Sequence, residues 1–156
     1  MTPGILNWIK SIRPLIGRPN KIIEVGSLNV NGSPRELFRD VRDYTGVDMC
    51  KGNGVDIIAD ASNLPFEDRC TDFVICCETL EHTKDPLAVA AELKRILKHD
   101  GYLLISSPAN GFHIHRYPRD YWRLMPDAYE DLIFSGMSII SQIILKEKIS
   151  CYLGKK

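Results

Sequence analysis

Lys21–Leu37 reads KIIEVGSLNVNGSPREL, and the order of residue types in it decides the fold. The stretch opens on a β-branched run, turns at Gly26 and closes on Ser33, Pro34 and Glu36. KIIEVG is short, apolar and bounded by glycine, which fits a strand buried on both faces of a parallel sheet. Ser33 is a good helix cap, Pro34 suits a first helical position and Glu36 completes a capping box. The spacing therefore predicts a helix with Leu37, Phe38 and Val41 turned inward. Strand, glycine turn and capped helix form the layout of a nucleotide-binding turn. A dinucleotide fingerprint would carry glycine where this chain has Leu28 and Val30.

Working outward, three more short strands follow: YTGVDM, VDIIAD and TDFVICC. Asp85 and Pro86 then open a second helix, whose Val89, Leu93, Ile96 and Leu97 share one face. Gly101 is expected to end it at the C′ position. YLLISS is a fifth strand. A helix from Pro126 or Asp127 to Phe134 and two closing strands, SIISQIIL and KISCYLG, finish the chain. Alternation of strands and helices means a parallel sheet covered on both faces. The closing pair predicts an antiparallel hairpin at one edge. Before all this, Ile5, Leu6, Trp8, Ile9, Ile12, Leu15 and Ile16 repeat at helical spacing. Residues 1–18 are thus a flanking helix, packed on the core or laid over a ligand or a membrane surface, with Pro14 weakening its second half. Residues 21–156 are the core of a single domain.

The totals narrow the function. The chain has 156 residues, with 20 lysines and arginines against 20 aspartates and glutamates. A net charge of zero provides no broad surface for a nucleic-acid backbone. The five cysteines include no CxxC pair and are read as reduced thiols of a cytoplasmic protein. The N-terminus lacks the order of a secretory leader, and no transmembrane segment is expected.

In an open parallel sheet, ligands bind beyond the carboxyl ends of the strands. The residues just after each strand form a coherent set. Gly26 permits a close backbone approach or positive φ, and Glu24 stands two residues before it. Asp48 follows the second strand, and a carboxylate there can accept two hydroxyl hydrogen bonds. Asp60 follows the third strand, as a helix cap or as an acceptor for an exocyclic amine, with Leu64 and Met49 placed to sandwich a ring. Cys77, Glu78 and His82 follow the fourth. His82 is a base near neutral pH or a structural hydrogen-bonding group, and Glu81 a surface charge. After the fifth strand, His113, His115, Arg116, Tyr117, Arg119, Asp120, Tyr121, Trp122 and Arg123 crowd one loop. They make either a wall for a polar substrate or an arginine–aspartate cluster that fixes the loop. Two alternating histidines, 113 and 115, are too few to constitute a metal site.

The series IIEVGS…NGS, GVD, ADASNLPFEDRCTDFVICCETLEHTKDP and LKRILKHDGYLLISSP resembles the class I S-adenosylmethionine-dependent methyltransferases of the type 11 group. The resemblance runs from Lys21 to Pro108, and more loosely through PRDYWRLMP. It implies a Rossmann-like α/β fold: a seven-stranded, mostly parallel sheet with helices on both faces and an antiparallel last strand. It implies S-adenosyl-L-methionine as cofactor. Glu24, Gly26, Ser27 and Asn29 would then hold its methionine part, Asp48 its ribose, and Met49, Asp60 and Ala61 its adenine, with Cys77 near the sulfonium. His82 or His115 would be the catalytic base if the acceptor must lose a proton. His113, Tyr117, Arg119, Tyr121 and Arg123 would face the acceptor, expected to be a small molecule. Leu28 and Val30 depart from the family's glycines. A cofactor without a pyrophosphate tolerates that better than NAD does, so an NAD-linked oxidoreductase is disfavoured. The departure equally motivates the alternative of a catalytically inactive partner subunit on the same fold.

Overall fold

The computed structural model describes residues Met1–Lys156. Seven strands form one sheet in the order β3-β2-β1-β4-β5-β7-β6. They are β1 (Lys21–Val25), β2 (Asp43–Asp48), β3 (Ile57–Ile58), β4 (Thr71–Cys77), β5 (Leu97–Pro108), β6 (Ser138–Ile144) and β7 (Ile149–Lys155). β1 to β5 pair in parallel, while β7 runs antiparallel between β5 and β6. The strand order reverses between β1 and β4, which puts the crevice for a ligand at their carboxyl ends.

Each face of the sheet is buried because side chains alternate along a strand. Ile23, Val25, Val74, Leu103 and Ile105 pack with Val89, Ala90, Leu93 and Ile96 of α2 (Pro86–Ile96). Ile22, Phe73, Ile75 and Leu104 pack with Ile5, Ile9, Ile12 and Ile16 of α1 (Pro3–Ile16). The flanking helix is therefore a layer of the core. Pro14 lies in its last turn, so the helix runs on to Ile16 and stops at Gly17, whose φ is 68°. Leu15 faces outward and is half exposed.

Several local expectations are corrected. The helix after Ser33 is a single 3₁₀ turn, Pro34–Phe38. Ser33 does cap it, with its Oγ accepting from the Arg35 N–H at 3.1 Å, but the Glu36 side chain makes no return bond. With β2 starting at Asp43, there is no length for more. VDIIAD contributes only Ile57–Ile58 to the sheet, at its edge. α2 ends at Ile96 and passes directly into β5, and Asp100, not Gly101, takes the left-handed backbone, with φ 65°. Glycine is needed at 101 for space: a Cβ there would stand 2.7 Å from Leu97 Cδ1. The last helical segment starts at Pro126, as expected, but α3 (Pro126–Ala128) widens into a π turn over Tyr129–Ile133.

The start of α2 offers a test of local structure. Asp85 accepts hydrogen bonds from the Leu87 and Ala88 N–H groups, each at 3.0 Å. Asp85→Ala should cost about 1 kcal/mol, read as a lower urea midpoint at unchanged slope.

Candidate cofactor and acceptor site

The turns after β1 and β2 interlock. Gly26 adopts φ 79°, and a Cβ there would lie 1.9 Å from Thr79 Oγ1. The Gly26 and Ser27 N–H groups both donate to the Val47 carbonyl, at 2.8 and 3.0 Å, and Asn29 N–H donates to Asn53 O at 2.8 Å. Leu28, the residue in place of a family glycine, points at Gly52: a Cβ on Gly52 would be 2.2 Å from Leu28 Cδ1. Gly54, at φ 86°, also passes close to the first loop: a Cβ there would be 2.7 Å from the Ser27 carbonyl oxygen. The glycines missing from the first loop are thus matched by glycines in the facing loop. Their signal, GNG at 52–54, stands in the sequence, but its meaning appears only when the loops meet.

Glu24 is buried, and its Oε2 accepts from Tyr44 OH at 2.8 Å and from Ser33 Oγ at 3.4 Å. Burial pushes its carboxyl up to about 7, against the opposing hydrogen bond from Tyr44. Tyr44 and Ser33 went unrecognised as its partners because both are distant in sequence. Asp48 stands at the end of β2, half-buried, with Oδ2 accepting from Leu28 N–H at 3.1 Å and Oδ1 from Cys50 N–H at 2.9 Å. Each of these oxygens has a second lone pair for an incoming hydroxyl. Asp60 caps the turn after β3: its Oδ1 accepts from the Ser62 N–H and Oγ, each at 2.8 Å, and these bonds hold the carboxyl below the usual range. Met49 is exposed and Ala61 buried. Leu64 is no stacking surface, because it belongs to the core beneath α2.

At the end of β4, Cys77 is buried, and burial raises its thiol well above the ordinary value, so it is a neutral group. Glu78 takes a left-handed backbone, φ 50°. Burial, and then the neighbouring Glu81, push its carboxyl up to about 7. Glu81 is fully buried, which corrects its reading as a surface charge. The reason is the loop after β5, which folds over it: Tyr121 N–H donates to Glu81 O at 2.7 Å, and Trp122 Nε1–H to Thr83 O at 2.8 Å.

That loop is internally braced. Arg123 grips both Asp120 oxygens, at 2.5 and 2.7 Å, and also donates to the carbonyls of Trp122 and His113. Four of its donors are therefore committed to fixing the loop. The same bonds hold the Asp120 carboxyl well below the usual carboxylate range. His115 packs edge-on to Phe112, with ring centroids 5.3 Å apart, while His113 stacks on Phe112 at 4.4 Å. The Glu81 carboxyl beside His115 raises its imidazole, in spite of partial burial. Tyr117, Arg119, Tyr121 and His113 are exposed.

An adenosyl cofactor fits these residues on one observation in particular. Asp48 is tied to the turn after β1 through Leu28 N–H and keeps a spare lone pair on each oxygen, and in that same turn Ser27 Oγ is buried without a hydrogen-bond partner. Two surface concavities lie elsewhere, one beside β6 around Met137 and Gln142, the other at the amino ends of the strands around Asp72 and Lys98. Neither carries the chemistry of the crevice.

Comparison with known proteins agrees with this geometry. Across its full length the chain superposes on a SAM-dependent methyltransferase from Thermotoga maritima, with a TM-score of 0.69, 18% identity and coverage of 98% of this chain and 88% of that one. It superposes on the Burkholderia thailandensis 1,6-didemethyltoxoflavin-N1-methyltransferase, solved with its substrate and S-adenosylhomocysteine, with a TM-score of 0.76, 18% identity and coverage of 97% and 77%. The [4+2]-cyclase SpnF matches with a TM-score of 0.75, 16% identity and coverage of 97% and 79%. No curated protein sequence matches the chain. The architecture is thus the Rossmann-like fold of class I SAM-dependent methyltransferases. Residues 24–105, just over half the chain, match the type 11 methyltransferase domain, and the chain belongs to that family. Its cofactor is S-adenosyl-L-methionine. No helix is long and apolar enough to cross a membrane.

Proposed function

We propose that the chain transfers a methyl group from S-adenosyl-L-methionine to a small-molecule acceptor held under the loop after β5. The Asp48 carboxylate, tied to the turn after β1 through Leu28 N–H and with lone pairs to spare at the switch point of the sheet, is the observation that carries this reading. The bound cofactor supplies an electrophilic sulfonium methyl; the protein supplies orientation and electrostatics. Glu24, Gly26, Ser27 and Asn29 hold the methionine end, Asp48 the ribose, and Met49, Asp60 and Ala61 the adenine. Cys77 lines the path as a neutral thiol. His113, Tyr117, Arg119 and Tyr121 form the acceptor wall, with Arg123 positioning the loop that carries them. If the acceptor must lose a proton, His82 or His115 receives it. The test is a calorimetric titration with S-adenosylmethionine and S-adenosylhomocysteine, with NADH as control. Binding of the first two alone is expected, and binding of NADH alone would overturn the reading.

Glu24 gives this site a pH dependence. The folded chain keeps its proton up to about pH 7, whereas the ordinary value is 4.5. Stability from this group therefore falls as pH rises from 4.5 to 7, since the folded state binds more protons in that window. The ammonium of the methionine end favours the ionised form. Cofactor affinity should then rise by about tenfold from pH 6 to pH 8. Calorimetry across this range should find the slope in the wild type and lose it in Glu24→Gln.

A second reading, an inactive partner subunit, is favoured by Leu28 and Val30 in the cofactor loop. Transfer of a labelled methyl group to any acceptor excludes it.

A further inference from the structure

Away from the cofactor residues, one cluster lacks an explanation. Glu81 is wholly buried, and neither of its carboxyl oxygens has a hydrogen-bond partner. Isolated buried carboxyl groups are costly, and they persist when paired or when they coordinate a metal. Two imidazole nitrogens converge on it: His82 Nε2 and His115 Nε2, each 3.6 Å from Glu81 Oε1. The three donor atoms all lie within 4.8 Å of one another. The far side of each imidazole is already arranged. His82 Nδ1–H donates to the Arg119 carbonyl. His115 Nδ1 is buried and unbonded, 3.5 Å from Asp120 Oδ2, and Asp120 is locked by Arg123. Carboxylate or carbonyl behind an imidazole is the outer shell that orients metal-binding histidines and fixes their tautomer.

We infer that Glu81, His82 and His115 form a binding site for one divalent transition-metal ion, of which zinc is the best match. Two imidazoles and one carboxylate suit zinc, with bonds of about 2.0–2.2 Å and donors about 3.3 Å apart. Two of the three separations are already close to that, and the widest pair needs to close by roughly 1–1.5 Å. Three protein ligands leave a fourth position for water or for an oxygen of the acceptor. The site also joins the turn after β4 to the loop after β5. Neither histidine pattern in the sequence indicated this, because His113, the near neighbour, stacks on Phe112 instead. The inference goes beyond the methyl-transfer reading and stands without it. The two differ on one point: an imidazole bound to metal through Nε2 is not free to act as a base.

The experiment uses the full chain, stripped with a chelator and titrated with zinc against a chromophoric competitor, without cofactor. One equivalent of zinc per chain is expected, with a higher melting temperature. Glu81→Gln, His82→Ala and His115→Ala should each weaken uptake at least tenfold, while His99→Ala, at the exposed start of β5, keeps it. Cobalt should give visible bands that vanish in the same three variants. If Glu81→Gln does not fold by circular dichroism, the more accessible His82→Ala carries the test. Uptake below a tenth of an equivalent in the wild type overturns the inference. So does uptake that is unchanged in all the ligand variants that fold, because the zinc would then lie elsewhere, for instance on the exposed Cys50.

Discussion

Alanine in place of Gly26 should remove about 2–5 kcal/mol of folding stability. Two effects add. The backbone is left-handed there, φ 79°, which costs a residue with a side chain about 1–2 kcal/mol. The new methyl would also stand 1.9 Å from Thr79 Oγ1 and 2.9 Å from Thr79 Cβ. Thr79 has no easy retreat, because its hydroxyl donates to the Cys77 carbonyl at 2.9 Å. Overpacking of this kind costs about 1–3 kcal/mol. Gly136 provides the control: its φ is 80°, but a Cβ there would meet nothing within 4 Å. Gly136→Ala should therefore cost only the backbone part, about 1–2 kcal/mol. Urea unfolding of both variants separates the contributions. Equal costs would show that Thr79 does not wedge the turn, and the described packing of the β1 and β4 loops would be wrong.

Removal of the Asp48 carboxyl should have the largest effect on cofactor binding. It already holds Leu28 N–H and Cys50 N–H, at 3.1 and 2.9 Å, so it shapes both loops before any ligand arrives. Its remaining lone pairs are those proposed for the ribose. A hydrogen bond to a charged group contributes about 1.5–3 kcal/mol, and loop ordering adds to that. Asp48→Ala should weaken S-adenosylhomocysteine by roughly 30- to 1000-fold by calorimetry. Thermal stability should also fall, because Leu28 N–H and Cys50 N–H lose their acceptor, so affinity is compared well below the variant's melting temperature. Unchanged affinity in a folded variant would falsify the ribose assignment and move the cofactor elsewhere on the crevice.

Much of the architecture was legible because burial leaves a period in the sequence. TDFVICC is a strand from its first residue to its last, and Asp85-Pro86 opens a helix at the place expected. The closing pair of strands forms the antiparallel edge. Misreadings fell where local signals outran the length available. Ser33-Pro34-x-Glu36 has every mark of a helix start, yet only one 3₁₀ turn fits before β2. Gly101 resembles a helix stop, but its role is to make room for Leu97.

The site divides in the same way. Residue order along the chain was enough to place Glu24 near the end of β1 and Asp48 and Asp60 at or after the ends of β2 and β3, although β3 itself shrinks to two residues. The environment of those acids came only from tertiary contacts. Tyr44 and Ser33 reach Glu24 from other segments. Glu81 is polar by type and buried only because the 113–123 loop closes over it. Leu28 departs from the family glycine in a way that Gly52 answers across space. Periodicity and turn chemistry are local and survive in one dimension, whereas desolvation, close approach and convergence of donors arise between segments that the sequence keeps far apart.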